Sequence, residues 1–184
     1  MQPTQTLILA GGCFWCTEAV FVCVKGVQAV ESGYANGEFP NPTYEAVCTG
    51  RTGHAEAIRI EFDPTVVPLD VLLDIFFATH DPTTLNRQGA DVGTQYRSGI
   101  YTTSDAQLQA VQAYVAQLKA NAIFSQPVVT EVEPLRHFYA AEPEHQNFYA
   151  RHPYHGYCMA VAGPKVDKLK RRYVAWVKNA NAAR

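Results

Sequence analysis

The order in which strand-like and helix-like patterns follow one another is the feature of this sequence that most constrains its fold. Short apolar or alternating runs predict strands, whereas apolar residues spaced three and four apart predict helices. In chain order the patterns predict a strand, a helix, two strands, a helix and a strand, over residues 7–10, 14–25, 27–34, 54–62, 69–80 and 97–103. This order is typical of the split βαβ arrangement of ferredoxin-like folds.

Further elements extend this predicted core towards the C-terminus. Ser104 and Gln107 match a capping box in front of a helix that includes Leu118, and residues 128–132 predict another short strand. Residues 136–163 show little periodicity, and residues 164–180 predict a final helix. We therefore predict an α/β (α+β) fold, a two-layer sandwich with a mixed sheet, a ferredoxin-like βαββαβ core, added helices and a long C-terminal extension.

Composition favours a single globular domain. The chain has 184 residues, of which 47% are hydrophobic, so we expect one domain over residues 1–184 with its core at about 6–135. No apolar run approaches the roughly 18 residues that span a membrane, and no Lys or Arg precedes the short apolar run at residues 7–10. We therefore expect neither a signal peptide nor a membrane anchor.

The charge of the chain argues against two classes of partner. A net charge of −2 provides no general attraction for nucleic acid or for an anionic membrane. The C-terminal part is locally basic, with seven Lys and Arg residues against Asp167 alone from Lys165 onward. Such a segment can dock an acidic partner, but a solvated helix face is the favoured interpretation.

The cysteine content predicts a reducing compartment. The chain has five cysteines, an odd number, and no recognisable leader sequence. Thiols in such a chain are expected to stay free for chemistry or for metal binding. The cytoplasm is the simplest expectation.

Cys13 follows Gly11 and Gly12 at the predicted turn from the first strand into the first helix. The free N–H groups and the dipole at a helix N-terminus favour an anion, so this position predicts a lowered pKa for the thiol. An ordinary cysteine, with a pKa of about 8.5, is mostly protonated at neutral pH, whereas the thiolate is the nucleophile. Cys13 is therefore a candidate nucleophile. The alternative is an inert, buried packing residue.

Cys13 and Cys16 have C-x-x-C spacing, which is compatible with three interpretations. The pair can form a redox disulfide, or it can be half of a zinc site completed by His152, His155 and Cys158. The spacing can also be a coincidence. Spacing alone does not choose among them.

The register of the strand at residues 54–62 makes Glu56 a candidate acid. Period two places Glu56 on the same face as Ile58, Ile60 and Phe62, the face expected to meet the core. Burial raises the pKa of a carboxyl group, so Glu56 can stay protonated near neutral pH and donate a proton. An equally compatible reading is that this glutamate, close to Gly53, reaches solvent.

Two stretches rich in Gly, Pro, Asn and Thr, over residues 35–53 and 81–96, predict long irregular loops. Loops of this length are usually functional. Tyr44 and Tyr96 lie in them, although a tyrosine taken alone is more often a packing residue.

Several motifs together resemble the peptide methionine sulfoxide reductases of A type. Gly12-Cys13-Phe14-Trp15 resembles the catalytic signature of that family. The other matching segments are Tyr44-Glu45, Val47, Thr52-Gly53-His54-Ala55-Glu56, His80-Asp81-Pro82-Thr83, Arg87-Gln88-Gly89, Asp91, Gly93-Thr94-Gln95-Tyr96-Arg97-Ser98, Ala141-Glu142 and His145-Gln146. They occur in the order of the family and spread over about residues 7–175.

The resemblance implies an activity and a set of roles. Cys13 would attack the sulfur of a methionine sulfoxide of the S configuration, free or in a protein, and Glu56 would donate a proton to the sulfoxide oxygen. Tyr44 and Tyr96 would hydrogen-bond the same oxygen, and Asp91 would help to order the site. Phe14 and Trp15, the two aromatic residues of the signature, would form an apolar wall for the substrate methyl group.

The resemblance also implies a second thiol and a reductant. Attack leaves Cys13 as a sulfenic acid, which condenses with another thiol. Gly156-Tyr157-Cys158 resembles the resolving segment of the family, so Cys158 is favoured, whereas many members carry glycine where this chain has Cys16. Cys16, or a relay through both thiols, remains an alternative.

Thioredoxin is the implied reductant, with no organic cofactor and no metal. We expect a monomer that binds neither nucleic acid nor membrane, and we assign no catalytic role to Cys23 or Cys48. The rival function is a general dithiol oxidoreductase that uses Cys13 and Cys16.

Overall fold

A six-stranded mixed sheet forms the centre of the molecule. The computed structural model describes residues 3–179. Residues 1–2 and 180–184 lie outside the described residues, and these include the last position of the predicted C-terminal helix and Arg184 of the basic segment.

The strands, in chain order, are β1 (Gln5–Gly11), β2 (Val27–Ala35), β3 (Ala55–Phe62), β4 (Arg87–Gln88), β5 (Asp91–Val92), β6 (Ser98–Thr102), β7 (Glu131–Pro134) and β8 (Phe138–Ala140). The main sheet has the order β7-β6-β1-β3-β2-β8, and β4 and β5 form a separate hairpin. Neighbouring strands of the main sheet are antiparallel except β6 and β7, which are parallel. The predicted mixed sheet is therefore confirmed.

The helices are α1 (Phe14–Phe21), α2 (Tyr44–Cys48), α3 (Leu69–Thr79), α4 (Asp105–Ala120), α5 (Phe148–Arg151) and α6 (Gly163–Arg172). The predicted cap of α4 is present, because the Ser104 hydroxyl accepts a hydrogen bond from the Gln107 N–H at 3.2 Å. In the described part of the chain, none of the helices is long and apolar enough to cross a membrane.

The core lies mainly between one face of the sheet and the helices. Leu7 and Leu9 of β1 and Ile58 and Ile60 of β3 are fully buried in this cluster. The opposite face of the sheet is also covered, and Ile8 is buried there in a second, smaller cluster. Because β1 is an interior strand buried on both faces, its sequence is a continuous apolar run and does not alternate. Each large side chain buried in this way contributes about 1.5–3 kcal/mol.

The first helix is shorter than predicted. It ends at Phe21, whereas the apolar spacing predicted a helix to residue 25. Val24 instead pairs as an isolated bridge with Val177, and the Lys25 N–H donates to the Trp176 carbonyl at 2.7 Å. Pairing with a distant part of the chain therefore replaces the last helical turn.

Both predicted loops contain regular structure. Within 35–53, α2 begins after Thr43, whose hydroxyl accepts a hydrogen bond from the Ala46 N–H at 3.2 Å and so caps the helix. Within 81–96, the β4–β5 hairpin and one short 3₁₀ turn at Thr94–Tyr96 order the chain. The strand predicted at 128–132 is shifted to Glu131–Pro134, because the Val129 N–H bonds to the Pro82 carbonyl and not to β6.

The C-terminal extension is more ordered than predicted, and its helix is shorter. Residues 136–163 include β8, α5 and a π-helical turn at Cys158–Ala162. The final helix ends at Arg172 and does not continue to residue 180, because the chain leaves the helical conformation at Tyr173 and then pairs at Val177.

Candidate active site

A tight turn at the end of β1 positions Cys13. Gly12 has a φ of +93°, and a side chain there would lie 2.6 Å from Gln88. Only glycine fits this conformation and this close approach without strain. Cys13 is consequently the N-cap residue of α1, and its carbonyl accepts the Cys16 N–H at 3.1 Å.

Glu56 lies beside this turn, buried in β3. Glu56 is 1% exposed, so the predicted core-facing register is confirmed. Its Oε1 accepts a hydrogen bond from the Phe14 N–H at 3.1 Å, which ties the carboxyl group to the first helical residue after Cys13. Burial raises the pKa of Glu56 to about 8, although the Phe14 N–H opposes the shift. Glu56 is therefore mostly protonated at neutral pH.

Cys13 does not have the lowered pKa that its position predicts. Burial raises the pKa of its thiol well above the usual value, and the neighbouring Cys16 and Glu56 raise it further. The backbone N–H of Trp15 lowers the pKa, as expected at a helix N-terminus, but loss of hydration has the larger effect. The prediction of a lowered pKa for Cys13 was wrong, and burial favours its thiol form.

Cys16 is the thiol whose pKa is lowered. The largest cause is its hydrogen-bonding interaction with Cys13, and Lys165 and Tyr157 act in the same direction. The Cys16 sulfur lies 3.8 Å from the Tyr157 hydroxyl oxygen, and that hydroxyl donates to Asp91 at 2.6 Å. The Cys16 thiol therefore donates to the Tyr157 oxygen, whose own proton is held by Asp91.

Aromatic rings enclose the space next to Cys13. Phe14 is fully buried, and its ring centroid lies 6.4 Å from that of Tyr44. Trp15 stacks on Phe148 at 3.8 Å, and its Nε1–H donates to His145 Nδ1 at 3.2 Å. The arrangement is an apolar wall with its indole held in one orientation.

Tyr44 and Tyr96 reach the same region from the two loops. Burial is the largest cause that raises the pKa of each hydroxyl, and the nearby Glu56 adds to it. Both side chains are therefore neutral phenols that can donate a hydrogen bond. Asp91, from the β4–β5 hairpin, joins the group through Tyr157. The structure thus brings together all five residues predicted to be catalytic.

Glu142 links these aromatic residues to the rest of the fold. Its carboxylate accepts hydrogen bonds from the Tyr34 hydroxyl at 2.9 Å and from the Tyr44 N–H at 3.0 Å. Glu142, His145 and Tyr157 were given no role from the sequence. All three belong to segments that resemble the family, which was the available signal, but the aperiodic stretch around them does not indicate what they contact.

The other cysteines occupy distinct places. Cys158 is fully buried at the start of the π-helical turn and lies close enough to Cys16 to be influenced by its charge. Cys23 donates to the Ala19 carbonyl, as expected for a structural residue. Cys48 is exposed at the end of α2, and its thiol interacts with Tyr44.

The zinc alternative is not supported by the positions of its ligands. His152 and His155 are exposed and pack against the Phe148 ring, at 4.5 and 5.4 Å between centroids. Among residues 3–179, the one group of three possible ligand side chains that converge is Glu142, Glu144 and His145. Neither Cys13 nor Cys158 belongs to it.

The site combines a buried thiol pair, a neutral carboxylic acid, two phenol donors and an apolar wall. This combination can hold a small apolar group against the aromatic rings and transfer a proton to an oxygen next to the thiol. The second thiol can then form a disulfide with the first.

Known proteins match the chain over nearly its whole length. Residues 5–177 match the family described as "Peptide methionine sulfoxide reductase". The peptide methionine sulfoxide reductase MsrA of Deinococcus radiodurans is 56% identical over 169 residues, which cover 92% of this chain and 82% of the relative.

Solved structures are similar as well. Reduced Mxr1 from Saccharomyces cerevisiae superposes with a TM-score of 0.77 at 37% identity, covering 83% of this chain and 87% of that chain. Mxr1 in complex with Trx2 superposes with a TM-score of 0.55 at 28% identity, covering 79% of this chain and 84% of that chain.

Proposed function

The chain belongs to the peptide methionine sulfoxide reductase family, and from this premise we propose the part that each residue of its site plays. The protein reduces the S epimer of methionine sulfoxide, free or in proteins, to methionine, and thioredoxin recycles it. The observation that carries the assignment is the 3.1 Å hydrogen bond from the Phe14 N–H to buried Glu56, and it supports Glu56 as the acid because Phe14 directly follows Cys13.

The first step joins Cys13 to the substrate. The Cys13 sulfur attacks the sulfoxide sulfur while Glu56 gives its proton to the oxygen, which otherwise would develop negative charge. General acid catalysis of this kind is typically worth about 10²–10⁴-fold in rate. Because its pKa is about 8, Glu56 is mostly protonated at neutral pH.

Tyr44 and Tyr96 donate hydrogen bonds to the same oxygen. As neutral phenols near Glu56, they can stabilise the developing charge without having to ionise. Asp91 orders the site through its hydrogen bond with Tyr157.

Phe14 and Trp15 bind the substrate methyl group. A sulfur-bound methyl makes favourable contacts with aromatic rings. The hydrogen bond from Trp15 to His145 fixes the plane of the indole, so the wall is formed before substrate arrives. This preorganisation supports binding of the methyl rather than the chemical step.

Cys16 is the first resolving thiol, and Cys158 follows it. The sequence favoured Cys158, but the interacting pair in the buried site is Cys13 with Cys16, and Cys158 is influenced by Cys16 rather than by Cys13. The sulfenic acid on Cys13 is therefore resolved by Cys16, and Cys158 then attacks Cys16. Thioredoxin, which is bound to yeast Mxr1 in the related complex, reduces the resulting disulfide.

We infer a ferredoxin-like βαββαβ core for this single catalytic domain of residues 1–184. The support is the order β6-β1-β3-β2, with each neighbouring pair antiparallel. Five free thiols fit a reducing compartment, so the cytoplasm is the proposed location.

A single-turnover reaction without reductant tests the assignment of the nucleophile. The wild type forms methionine and loses free thiols, whereas Cys13→Ser forms none. Cys23→Ser is the matched control, since the Cys23 thiol bonds to the Ala19 carbonyl and belongs to no group of the site, and it retains the wild-type yield. Methionine formation by Cys13→Ser would remove Cys13 as the nucleophile.

Peptide mapping tests the order of the disulfides. Oxidised Cys158→Ser should contain a Cys13–Cys16 bridge. If its Cys13 stays unbridged while Cys16 is present, the relay through Cys16 is wrong.

A further inference from the structure

The Phe148 ring supports the apolar wall from outside the first helix. It lies against the Trp15 indole, with the ring centroids 3.8 Å apart and the planes 6° from parallel. Phe148 is itself only half-buried, and two other rings that contact it, His152 and His155, are exposed. Because this packing is incomplete, the indole keeps its support only if the backbone that carries Phe148 is held in place.

Glu18 holds this backbone from α1. It lies three residues after Trp15, so the two side chains occupy the same face of the helix. Its Oε1 accepts a hydrogen bond from the Asn147 N–H at 2.9 Å, and Asn147 directly precedes Phe148. The carboxyl group is therefore bonded one residue away from the ring that stacks on Trp15.

This contact replaces a cap that α5 lacks. The helix has four residues, and the side chain of its N-cap residue Asn147 makes no capping hydrogen bond. A helix of this length is not stable on its own. Burial raises the pKa of Glu18, whereas the N–H groups of Asn147 and Phe148 both lower it, as expected for an acceptor that faces the free N–H groups of a helix start. Glu18 thus provides from α1 the acceptor that α5 needs.

The contact between Glu18 and Asn147 has a cost in stability. Asn147 has a φ of +53°, in the left-handed region that residues other than glycine rarely adopt. Glu18 is 3% exposed, and its Oε2 has no hydrogen-bond partner among the described residues. The Ser32 hydroxyl, which faces this carboxyl group, has none either. An apolar residue at position 18 would avoid the cost of the buried carboxyl group, and costs of this kind concentrate at functional sites.

A second anchor fixes the same segment to the sheet. The guanidinium group of Arg151 ties the segment together, since it donates to the carbonyls of Pro143, Glu144 and Gln146 at 3.2, 2.7 and 2.9 Å. The Gln146 side chain bonds to the N–H and the carbonyl of Ser32 in β2, at 2.9 and 2.8 Å. The segment is thus attached to β2 at Gln146 and to α1 at Glu18, and the anchor at Glu18 is the one next to Phe148.

We propose that Glu18 is a positioning residue for substrate binding, which holds the backbone of Asn147 and thereby keeps Phe148 stacked on Trp15. This inference rests on the proposed function, in which Trp15 contacts the substrate methyl group. Glu18 acts through Phe148 and takes no part in the chemical step. Its loss should therefore weaken binding of the sulfoxide and leave the limiting rate unchanged.

Single-turnover rates at increasing sulfoxide concentration separate binding from chemistry. Glu18→Leu removes the acceptor and retains the bulk, so it should raise the half-saturating concentration about fivefold, the equivalent of one ordinary hydrogen bond. Glu18→Gln keeps an oxygen that can accept the Asn147 N–H and should restore the wild-type value. The proposal is wrong if Glu18→Leu saturates like the wild type, or if Glu18→Gln saturates like Glu18→Leu.

Val115→Ala is the matched control for a general loss of stability. Val115 is buried in α4, whose main contacts are with β6 and β7, so the substitution leaves a cavity in another part of the core. This variant should unfold more easily than the wild type and still saturate at the wild-type concentration. If it raises the half-saturating concentration as much as Glu18→Leu does, destabilisation explains the effect and the positioning role is excluded.

Tryptophan fluorescence reports the stack in the absence of substrate. The chain has two tryptophans, and Trp176→Phe leaves Trp15 as the only one. In this background Glu18→Leu should make the fluorescence of Trp15 easier to quench with acrylamide, and Glu18→Gln should not. Unchanged quenching in folded Glu18→Leu would mean that Phe148 keeps its place without Glu18, which contradicts the proposal.

A double-mutant cycle tests whether Glu18 acts through Phe148. Phe148→Ala removes the stack directly and should raise the half-saturating concentration at least as much as Glu18→Leu. In the double variant the second substitution should add nothing. Additive effects would mean that Glu18 acts by another route. An unaltered half-saturating concentration in Phe148→Ala would overturn the proposal even if Glu18→Leu did not fold.

Failure of this inference differs from failure of the proposed function. If Cys13→Ser forms methionine, the nucleophile assignment is wrong and the inference falls with the proposed function. If Cys13→Ser is inactive while Glu18→Leu keeps the wild-type saturation and quenching, the proposed function stands and only the positioning role is wrong.

Discussion

Glu56→Gln removes the transferable proton from the site while preserving most of its structure. Glutamine has the same shape, and its carbonyl oxygen can still accept the Phe14 N–H that now bonds to Glu56 at 3.1 Å. The side chain is 1% exposed, so water does not substitute for the missing proton. Any loss of rate therefore measures acid catalysis rather than a collapsed turn.

The expected loss follows from the pKa of about 8. At pH 7 roughly nine-tenths of the wild-type molecules carry the proton on Glu56, and a general acid contributes about 10²–10⁴-fold. Glu56→Gln should therefore slow methionine formation in a single turnover at least a hundredfold. Above pH 8 the acid-dependent rate of the wild type should fall about tenfold per pH unit, and the variant should lack this fall.

Stability should change with pH in a related way. The carboxyl ionises near its ordinary value of 4.5 when unfolded and at about 8 when folded, so between these values the unfolded state binds fewer protons. The free energy of unfolding is unaffected below pH 4.5 and falls as pH rises towards 8, by up to about 1.4 kcal/mol per pH unit and about 5 kcal/mol in all. Glu56→Gln should not have this slope.

Rapid-quench measurement of methionine and denaturant unfolding at several pH values check the two expectations. Glu61→Gln is the matched control, because Glu61 is exposed on the same strand and should change neither quantity. A Glu56→Gln variant that keeps more than about a third of the wild-type rate at pH 7 would refute the reasoning about general acid catalysis.

Three further predictions concern other parts of the site. Gly12→Ala should lower the free energy of unfolding by about 1–3 kcal/mol, because Gly12 has a φ of +93° and a Cβ would lie 2.6 Å from Gln88; an unchanged melting curve would contradict this. Cys158→Ser should form methionine at the wild-type rate in the first turnover but lose steady-state turnover with thioredoxin, and normal steady-state turnover would exclude Cys158 from recycling. His145→Leu should raise KM more than it lowers kcat, because it releases the Trp15 indole, and His145→Asn, which keeps an acceptor near the Nδ1 position, should restore KM.

Local patterns predicted the main elements, because alternation and helical spacing depend on neighbouring residues. The errors occurred where distant segments intervene. Pairing of Val24 with Val177 ends α1 early, and the hydrogen bond from Val129 to Pro82 delays β7. Neither partner lies within the window from which an element is predicted, so no local pattern contains this information.

The prediction of the site was also correct where it depended on local periodicity and incomplete where it depended on distant contacts. The register of β3 placed Glu56 towards the core, because side-chain direction follows strand periodicity, and burial of Glu56 is confirmed. The contacts of His145 with Trp15 and of Glu142 with Tyr44 join positions 130 and 98 residues apart, and both His145 and Glu142 lie in a segment without periodicity. The sequence motifs include these residues but do not indicate which side chains they contact.

The sequence by itself determined that a thiol would stand at a glycine turn before a helix, and strand periodicity made Glu56 a candidate for a core-facing carboxyl group. Only the tertiary structure decided how the surroundings shift the pKa of each thiol. Loss of hydration outweighs the helix N-terminus at Cys13, whereas Lys165 and Tyr157, both far along the chain, favour the anion at Cys16. A pKa depends on everything within a few ångströms of the group, and those neighbours are known only once the chain has folded.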